Sequence, residues 1–288
     1  MSDRPLLPQR TADGSYTFFS TEFQETFHSS FGAKQEAEVR YIEPCQIKQL
    51  ASQQSKIRIL DICYGLGYNS AAALDAIWQI APECQVELYA LELDANIPQQ
   101  AVKQDLLKLW QPSVALVLGE LATTFQVDRY PLSARLLMGD ARQTIKSLVN
   151  LGWQADAIFL DPFSPPKCPQ LWTVEFITLV SQCLSPAGIL STYSASAAAR
   201  TALLDTGLKL GSIVGAGRKS PGTMASFKYK KLLSLSVMER EHLRTRAAIP
   251  YRDRTLQESA EQIILNRQKE QQASSLLPTS QWRKRWSK

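Results

Sequence analysis

The sequence predicts an α/β protein with a Rossmann-like, mostly parallel sheet of seven strands. Three observations predict this fold. From residue 56 onward, short apolar stretches alternate with helix-length ones, the first apolar stretch runs into a glycine turn, and acidic residues follow four successive apolar stretches. Strands that alternate with helices form a parallel sheet with helices on both faces, and such sheets bind ligands beyond the carboxyl ends of their strands.

The individual elements follow from the spacing of apolar residues and from the residues that end each run. Helices are expected at 71–80, 95–110, 141–148, 173–183 and 197–206. The connection between the second and third strands is unusually long, and it is expected to hold a further helix within 116–130. Strands are expected at 57–62, 86–91, 134–138, 155–160, 188–193, 209–214 and 232–237.

Two segments flank this alternating domain, which we take as residues 56–237. Residues 1–55 are expected to form an N-terminal extension that covers the site. In it, Asp13 and Gly14 predict a tight hairpin turn, 25–33 a second short strand or loop, and 36–50 a helix bent at Pro44. Residues 238–288 are expected to form a basic tail with an amphipathic helix at 258–269.

The net charge of +5 is unevenly distributed. Residues 236–288 hold 11 Lys or Arg and 6 Asp or Glu, so the whole surplus lies in the tail. A basic extension on a neutral body suggests a polyanionic partner, and a merely solvated tail explains the composition equally well.

The five cysteines form no Cys-x-x-Cys pair, which argues against a zinc site or a disulfide framework and for a reducing compartment. Residues 1–10 contain no apolar signal-peptide core, and no apolar run reaches membrane length. A soluble, cytoplasmic protein is therefore expected.

The glycine turn is the first candidate site. It reads Asp61-Ile-Cys-Tyr-Gly65-Leu-Gly67, and Asn69 begins the helix that follows. Glycine lets a ligand approach the main chain, and a helix N-terminus offers free N–H groups. The turn matches neither the Gly-x-Gly-x-x-Gly fingerprint nor a P-loop. A nucleotide-type cofactor is expected here.

Acidic residues end four expected strands: Asp61, Glu92, Asp140 and Asp161. Any one of them could be an ordinary cap or turn residue. Because the carboxyl ends of parallel strands meet at one edge, all four are expected along that edge.

The turn resembles motif I of the class I S-adenosylmethionine-dependent methyltransferases, (Asp/Glu)-x-Gly-x-Gly-x-Gly, with Cys63 in place of the first glycine. The resemblance implies S-adenosylmethionine as the cofactor. It further implies that Glu92 accepts hydrogen bonds from the ribose hydroxyls and that Asp140 and Ala141 hold the adenine. No metal is implied.

The loop after the fourth strand begins Asp161-Pro-Phe163, which resembles the (Asn/Asp)-Pro-Pro-(Tyr/Phe) motif of amino-group methyltransferases. Prolines fix such a loop at little entropic cost. Asp161 is expected first to orient a substrate amine and second to accept its proton. Phe163 is expected to pack on the substrate. The alternative is a stiff surface loop.

Further segments make the resemblance more specific. Residues 13–17, 25–33, 161–172 and 217–219 resemble the methyltransferase half of the bifunctional enzyme that makes 5-methylaminomethyl-2-thiouridine at the tRNA wobble position, with Pro162 in place of a glycine. The resemblance covers about residues 11–235. It implies methyl transfer to the amine of 5-aminomethyluridine. Because no second dinucleotide fingerprint is present, a stand-alone methyltransferase without the flavin-dependent oxidase domain is expected, and its substrate must come from another enzyme.

The same resemblance implies a tRNA-facing side of the site. His28 is expected as a lid or base, or as a structural hydrogen-bonding group. Trp172 is expected as a pocket wall or as core. Basic residues interleaved with tryptophan at 282–286 would combine phosphate attraction with base stacking, or the tail would be a packing arm. The remaining substrate-side candidates are Lys167, Arg218 and Lys219.

Two other functions stay open at this stage. A polyamine-type aminopropyltransferase would share the strand-end acids, but it would need an acidic groove for a polycation. A non-catalytic RNA-binding protein with a degenerate methyltransferase fold would explain Cys63, but the retained Glu92, Asp140 and Asp161 argue against it. The sequence fixes neither the tRNA species, nor the 2-thio state of the uridine, nor the oligomeric state.

Overall fold

The structure is a computed structural model that describes residues 6–214, 221–228 and 232–286. Within these ranges lie the strands β1 Gln9–Arg10, β2 Tyr16–Thr17, β3 Phe19–Ser20, β4 Glu25–Thr26, β5 Lys56–Ile62, β6 Gln85–Glu92, β7 Gln126–Arg129, β8 Leu132–Met138, β9 Ala155–Leu160, β10 Leu184–Thr192, β11 Lys209–Ile213 and β12 Gly222–Ser226. The helices are α1 Ala33–Ala37, α2 Ile47–Gln53, α3 Tyr68–Ile80, α4 Asn96–Lys103, α5 Pro112–Thr124, α6 Ala141–Asn150, α7 Val174–Gln182, α8 Ala197–Asp205, α9 Val237–His242, α10 Ala260–Ala273 and α11 Thr279–Trp286. Short turns of 3-10 helix span Leu106–Leu109, Pro169–Trp172 and Arg246–Ala248, and a π-helical turn spans Glu38–Ile42.

The main sheet has eight strands in the order β11-β12-β10-β9-β5-β6-β8-β7. The five central strands β10, β9, β5, β6 and β8 pair in parallel, whereas β7 and β12 run antiparallel to their neighbours. Two apolar clusters bury the sheet, one on each face. The predicted α/β class and the mostly parallel sheet are confirmed.

Two details of the predicted sheet are wrong. The sheet has eight strands rather than seven, because α5 ends at Thr124 and residues 126–129 form β7, a hairpin partner of β8. The last strand is not at 232–237. It is β12, Gly222–Ser226, whose small residues are buried between β10 and β11. Such residues give a weak strand signal, because strand propensity reflects bulky side chains that fill a pleated surface.

The N-terminal extension contains two short hairpins, β1–β2 and β3–β4. The helix expected at 36–50 is interrupted: α1 runs into the π-helical turn, and α2 begins only at Ile47. Pro44 explains the break, because proline removes a helical hydrogen bond and crowds the preceding turn.

The tail packs against the alternating domain. Tyr251 and Asp253 are buried, Asp253 pairs with Arg142 on α6 at 2.7 Å, and Arg252 pairs with Glu175 on α7 at 2.8 Å. Within the tail itself, the Trp282 ring stacks on His242 with centroids 4.1 Å apart, and Arg267 lies over Tyr251. The helix expected at 258–269 is α10, of which only Ile263 is buried. The described residues of the tail therefore form a packing arm, one of the two expected alternatives. The exposed cations of this arm remain accessible to an anionic partner.

A buried ion pair joins the tail to the domain. Arg200 on α8 donates to Glu239 on α9 at 2.6 Å, and both side chains are almost inaccessible. The hydroxyl of Ser212 also donates to Glu239, at 2.9 Å.

We expect Glu239→Ala to lower the free energy of unfolding by about 3–5 kcal/mol, because it leaves a buried guanidinium without its counter-charge. Glu241→Ala is the matched control: Glu241 pairs with Arg285 at the surface, and such pairs contribute at most about 1 kcal/mol. Denaturant titration measures both. Equal losses in the two variants would contradict this account.

Candidate active site

A cavity of about 680 Å³ lies across the carboxyl ends of β5, β6, β8, β9 and β10. The β3–β4 hairpin of the N-terminal extension forms its other wall. The parallel pairing of the central strands brings these ends together, which is the reason that the cavity is here. Lining residues include Cys63 and Gly65 from the glycine turn, Glu92, Asp140 and Ala141 from the next two strand ends, and Asp161 and Phe163 from the fourth-strand loop.

The glycine turn has three left-handed residues: Cys63 at φ 67°, Gly65 at φ 56° and Gly67 at φ 82°. A Cβ on Gly67 would stand 2.6 Å from the hydroxyl oxygen of Tyr64, so no other residue fits there without movement. Cys63 adopts the conformation that the glycine of motif I takes more easily, because a side chain is strained in the left-handed region.

Glu92 ties the turn to the second central strand. Its Oε2 accepts from the N–H of Gly65 at 2.8 Å, and its Oε1 accepts from the N–H of Leu93 at 2.7 Å and of Asp94 at 2.9 Å. Burial raises the pKa of Glu92, and these backbone donors oppose the rise. A carboxylate has about four acceptor positions, so it keeps capacity for a further donor from the cavity.

Asp61 and Asn69 lie behind the turn and do not line the cavity. Asp61 is fully buried, accepts from the Ser70 hydroxyl at 2.6 Å, and has a second carboxylate oxygen without a partner. Burial raises the pKa of Asp61 to about 7. Asn69 is also buried, and its Nδ2 donates to Oδ2 of Asp161 at 2.9 Å. Asn69 therefore connects the turn with the fourth-strand loop.

Asp140 caps the N-terminus of α6 and is held by Arg142. The carboxylate accepts from the Arg142 backbone N–H at 2.9 Å and from its guanidinium at 2.7 Å. The other side of the same guanidinium donates to the buried Asp253 at 2.7 Å. The tail therefore reaches the cavity wall through Arg142.

The Asp161 carboxyl group, which directly follows β9, has a raised pKa. Its carboxylate faces the cavity, and burial together with the nearby charges of Glu36 and Asp61 raises its pKa to about 8. Hydrogen bonding from Asn69 and the nearby hydroxyl of Tyr41 oppose this rise. The Tyr41 hydroxyl faces Asp161 without reaching full hydrogen-bond geometry.

Phe163 lies in an aromatic wall that the N-terminal hairpin completes. Its ring stacks on Phe23 with centroids 4.4 Å apart and meets the edge of Phe27 at 5.0 Å. The N–H of Ser164 donates to Oε2 of Glu25 at 3.0 Å, and the Ser164 hydroxyl donates to Oε1. The hairpin and the fourth-strand loop are therefore fixed to each other.

Several expected substrate-side residues lie away from the cavity. Trp172 is fully buried, and its indole N–H donates to the carbonyl of Phe163 at 2.9 Å, so it supports the loop and does not line the cavity. His28 is buried against Tyr68, with ring centroids 5.1 Å apart. Lys167 is exposed outside the cavity lining. Arg218 and Lys219 lie outside the described residues.

Other lining residues were not predicted: Glu25, Glu36, Phe23, Phe27, Arg142 and Tyr193. Glu25 and Phe27 fall within a segment that resembles the family, which is the signal that could have pointed to them. Glu36 and Arg142 are charged residues in ordinary helical sequence, so nothing in the chain distinguishes them from surface charges.

Two features are absent from residues 6–214, 221–228 and 232–286. No helix there is both long and apolar enough to cross a membrane. No group of three or more His, Cys, Asp or Glu side chains in the same ranges is arranged to hold a metal ion.

Known proteins resemble this chain over most of its length. MnmC2 from Aquifex aeolicus has a crystal structure with 32% sequence identity and a TM-score of 0.84, and the match covers 95% of this chain and 87% of that one. An uncharacterised protein of Methanocaldococcus jannaschii is 29% identical over 267 residues, which are 90% of this chain and 70% of that protein.

The tRNA 5-methylaminomethyl-2-thiouridine biosynthesis bifunctional protein MnmC of Pseudomonas savastanoi pv. phaseolicola is 28% identical over 226 residues, covering 73% of this chain. The match spans 32% of that protein's length, so this chain corresponds to about a third of it. The sequence profile of a family described as S-adenosyl-L-methionine-dependent methyltransferases matches residues 101–228. The expected resemblance and cofactor are confirmed: the chain belongs to the family of MnmC2 and is an S-adenosyl-L-methionine-dependent methyltransferase.

Proposed function

We propose that this methyltransferase methylates the primary amine of 5-aminomethyluridine, or of its 2-thio form, at the wobble position of tRNA. The observation that carries the proposal is Asp161, a carboxyl group with a raised pKa that faces the cavity beside an aromatic wall. The names of the MnmC relatives, which refer to biosynthesis of tRNA 5-methylaminomethyl-2-thiouridine, supply the substrate class.

The cavity suits S-adenosyl-L-methionine in size and in shape. Its volume falls in the range of about 300–1,000 Å³ that is typical of small-molecule sites. A Cβ on Gly65 would stand 3.3 Å from the Phe27 ring, so the absent side chain leaves room between the turn and the hairpin. We assign Gly65, Glu92, Asp140 and Ala141 to the cofactor. Asp61, Gly67 and Asn69 are assigned to supporting the turn.

When bound, the cofactor supplies a methyl group on a positively charged sulfur. The cavity lining suits such a charge, because it contains seven acidic residues and, within the part of the chain described, one cation, Arg142. The acidic lining equally suits an amine that becomes positive as it is methylated. It also fits the polycation of an aminopropyltransferase, so the experiment below includes that reaction.

Asp161 performs two tasks in this proposal. Its carboxylate accepts an N–H of the substrate amine and holds the nitrogen in place, and positioning of this kind contributes about 7–11 kcal/mol for well-oriented reactants. As positive charge develops on the nitrogen, the carboxylate stabilises it and then takes the proton. The raised pKa of Asp161 favours the second task, because an ordinary aspartate holds a proton only weakly near neutral pH.

The aromatic wall is assigned to the uracil ring. Phe163 and Phe23 are fixed by each other and by the hydrogen bonds between Ser164 and Glu25. A flat base gains free energy by packing on such rings. His28, Lys167 and Trp172 are assigned supporting roles away from the base.

The tRNA backbone is assigned to the basic tail, residues 238–288. Its exposed cations include Arg244, Arg254, Lys269 and Lys284. Arg254 adjoins Asp253, which pairs with Arg142 at the cavity wall, so a phosphate bound by Arg254 would lie near the site. In this proposal residues 1–55 cover the site, residues 56–237 perform the methyl transfer, and the enzyme acts in the cytoplasm.

The decisive test is methyl transfer in vitro, with the purified protein, labelled cofactor and tRNA that carries 5-aminomethyluridine. We expect 5-methylaminomethyl nucleosides by mass spectrometry, and no label in tRNA with an unmodified wobble uridine. Cofactor binding without methylation of the amine-bearing tRNA would reject the proposal. Product from putrescine and decarboxylated cofactor would favour the aminopropyltransferase instead.

Asp161→Asn should reduce turnover by about 10²–10⁴-fold, because an amide keeps the shape of the side chain but cannot accept the proton. Cofactor affinity, measured by calorimetric titration, should stay close to that of the wild type. Asp156→Asn is the control, since Asp156 lies at the opposite end of β9 and is not part of the cavity lining. Near-wild-type turnover of Asp161→Asn would show that another group holds the amine.

The pH dependence should report the ionisation of Asp161. Below pH 8 its carboxyl is increasingly protonated and cannot accept a proton, so kcat/KM should rise with pH through about 8. The amine itself ionises higher, near about 10 as lysine does, so the limb near 8 belongs to the enzyme. Rate measurements at saturating cofactor test this, and a profile unchanged in Asp161→Asn would contradict it.

A further inference from the structure

Glu36 is one of the acidic residues that the N-terminal extension contributes to the cavity. Glu36, on α1, is 8% exposed and lines the same cavity as Asp161. Its Oε2 accepts from the backbone N–H of Ser29 at 2.8 Å, which fixes the carboxylate. Burial raises the pKa values of Asp161 and Tyr41, and the negative charge of Glu36 raises both further.

A second group of the extension near Asp161 is the hydroxyl of Tyr41. The residue is 1% exposed, its ring packs edge-on against Phe159, and its hydroxyl oxygen has no hydrogen-bond partner. A buried hydroxyl without a partner costs free energy. The hydroxyl faces Asp161, so a small approach completes a hydrogen bond to that carboxylate.

The π-helical turn accounts for this convergence. The N–H of Glu43 donates to the carbonyl of Glu38 at 2.9 Å, which is the i→i+5 bond of a π-turn. Residues five apart lie about 140° apart around an α-helix, whereas a π-turn brings them toward the same side. Glu36 lies in α1 and Tyr41 lies five positions later in the π-helical turn, and both influence the pKa of Asp161.

The turn is anchored to the sheet behind it. The carbonyl of Arg40 accepts from the Ser191 hydroxyl on β10, and the Arg40 guanidinium donates to the carbonyl of Ile213 on β11 at 3.2 Å. These contacts hold the residue before Tyr41 in place. The extension is therefore a fixed wall of the site at this point.

We propose that Glu36 is a second amine-holding carboxylate and that Tyr41 positions Asp161, so that together they select a primary amine over a secondary one. The inference rests on the proposed function, because it concerns the amine of that reaction. An uncharged primary amine has two N–H groups and one lone pair. Asp161 and Glu36 take one N–H each, and the lone pair stays available.

The reaction balances with these groups. The nitrogen lone pair forms the new N–C bond as the S–C bond of the methyl donor breaks, and one N–H proton passes to the Asp161 carboxylate. The uncharged product amine has a single N–H and carries a methyl group in place of the other. It can satisfy only one of the two carboxylates, which favours its release and opposes a second methylation.

The groups facing Asp161 predict opposite effects of two substitutions. They include Glu36 and Tyr41 from the extension, with Asp61, Cys63 and Asn69 in or beside the glycine turn. The negative charge of Glu36 raises the pKa of Asp161, whereas the hydroxyl of Tyr41 lowers it. Glu36→Gln should therefore move the limb of the pH–rate profile to lower pH, and Tyr41→Phe should move it to higher pH.

The test uses full-length enzyme and two anticodon stem-loop RNAs, one with 5-aminomethyluridine and one with 5-methylaminomethyluridine. At a pH above about 10, where the amine is uncharged, wild-type enzyme should bind the primary amine more tightly without cofactor, and Glu36→Gln should reduce that preference by about tenfold, since a charge-assisted hydrogen bond is lost. Glu38→Gln, the same change at an exposed neighbouring position, should alter neither the preference nor the profile.

The outcomes separate the two proposals. Wild-type enzyme that fails to methylate the amine-bearing RNA would reject the proposed function and this inference with it. Active wild-type enzyme whose two variants shift the profile in the same direction, or not at all, would reject only the inference. An unchanged preference in Glu36→Gln would do the same, whether or not the variant is less stable.

Discussion

The parallel pairing of β9, β5, β6 and β8 is the constraint on which the site depends. Strands that run in parallel end at the same edge, so the residues that follow them converge although they are up to 100 positions apart in sequence. Asp61, Glu92, Asp140 and Asp161 are brought together in this way. Four ionised carboxylates this close together would repel one another. The structure gives each of the four a different set of hydrogen-bond partners.

Glu92 is held by three backbone N–H groups, and Asp140 by the guanidinium of Arg142. Asp61 accepts from the Ser70 hydroxyl and is buried behind the turn. Asp161 accepts from Asn69 and has two further carboxylates nearby, so its pKa is raised to about 8. These backbone N–H groups and the Arg142 guanidinium hold Glu92 and Asp140 in fixed orientations. Asp161 is the strand-end acid that both faces the cavity and can exchange a proton near neutral pH.

The flanking segments complete the site from both ends of the chain. The β3–β4 hairpin packs Phe23 and Phe27 on Phe163, and α1 brings Glu36 to Asp161. From the other end, Asp253 of the tail fixes Arg142. The alternating domain therefore supplies the strand-end acids, whereas Phe23, Phe27 and Glu36 lie before β5 and the partner of Arg142 lies in the tail.

The sequence by itself determined the fold class, the glycine turn and the four strand-end acids, because these depend on local patterns: apolar runs, glycine spacing, and acids next to strand ends. The tertiary structure decided which of those residues face the cavity. Trp172 and His28 look like site residues in sequence but are buried elsewhere, since a side chain's direction depends on what packs around it. Glu36, Tyr41 and Arg142 gave no local signal. Glu36 and Tyr41 influence Asp161, and Arg142 pairs with Asp253, residues more than 100 positions away in each case. The π-helical turn that contains Tyr41 has no sequence pattern of its own.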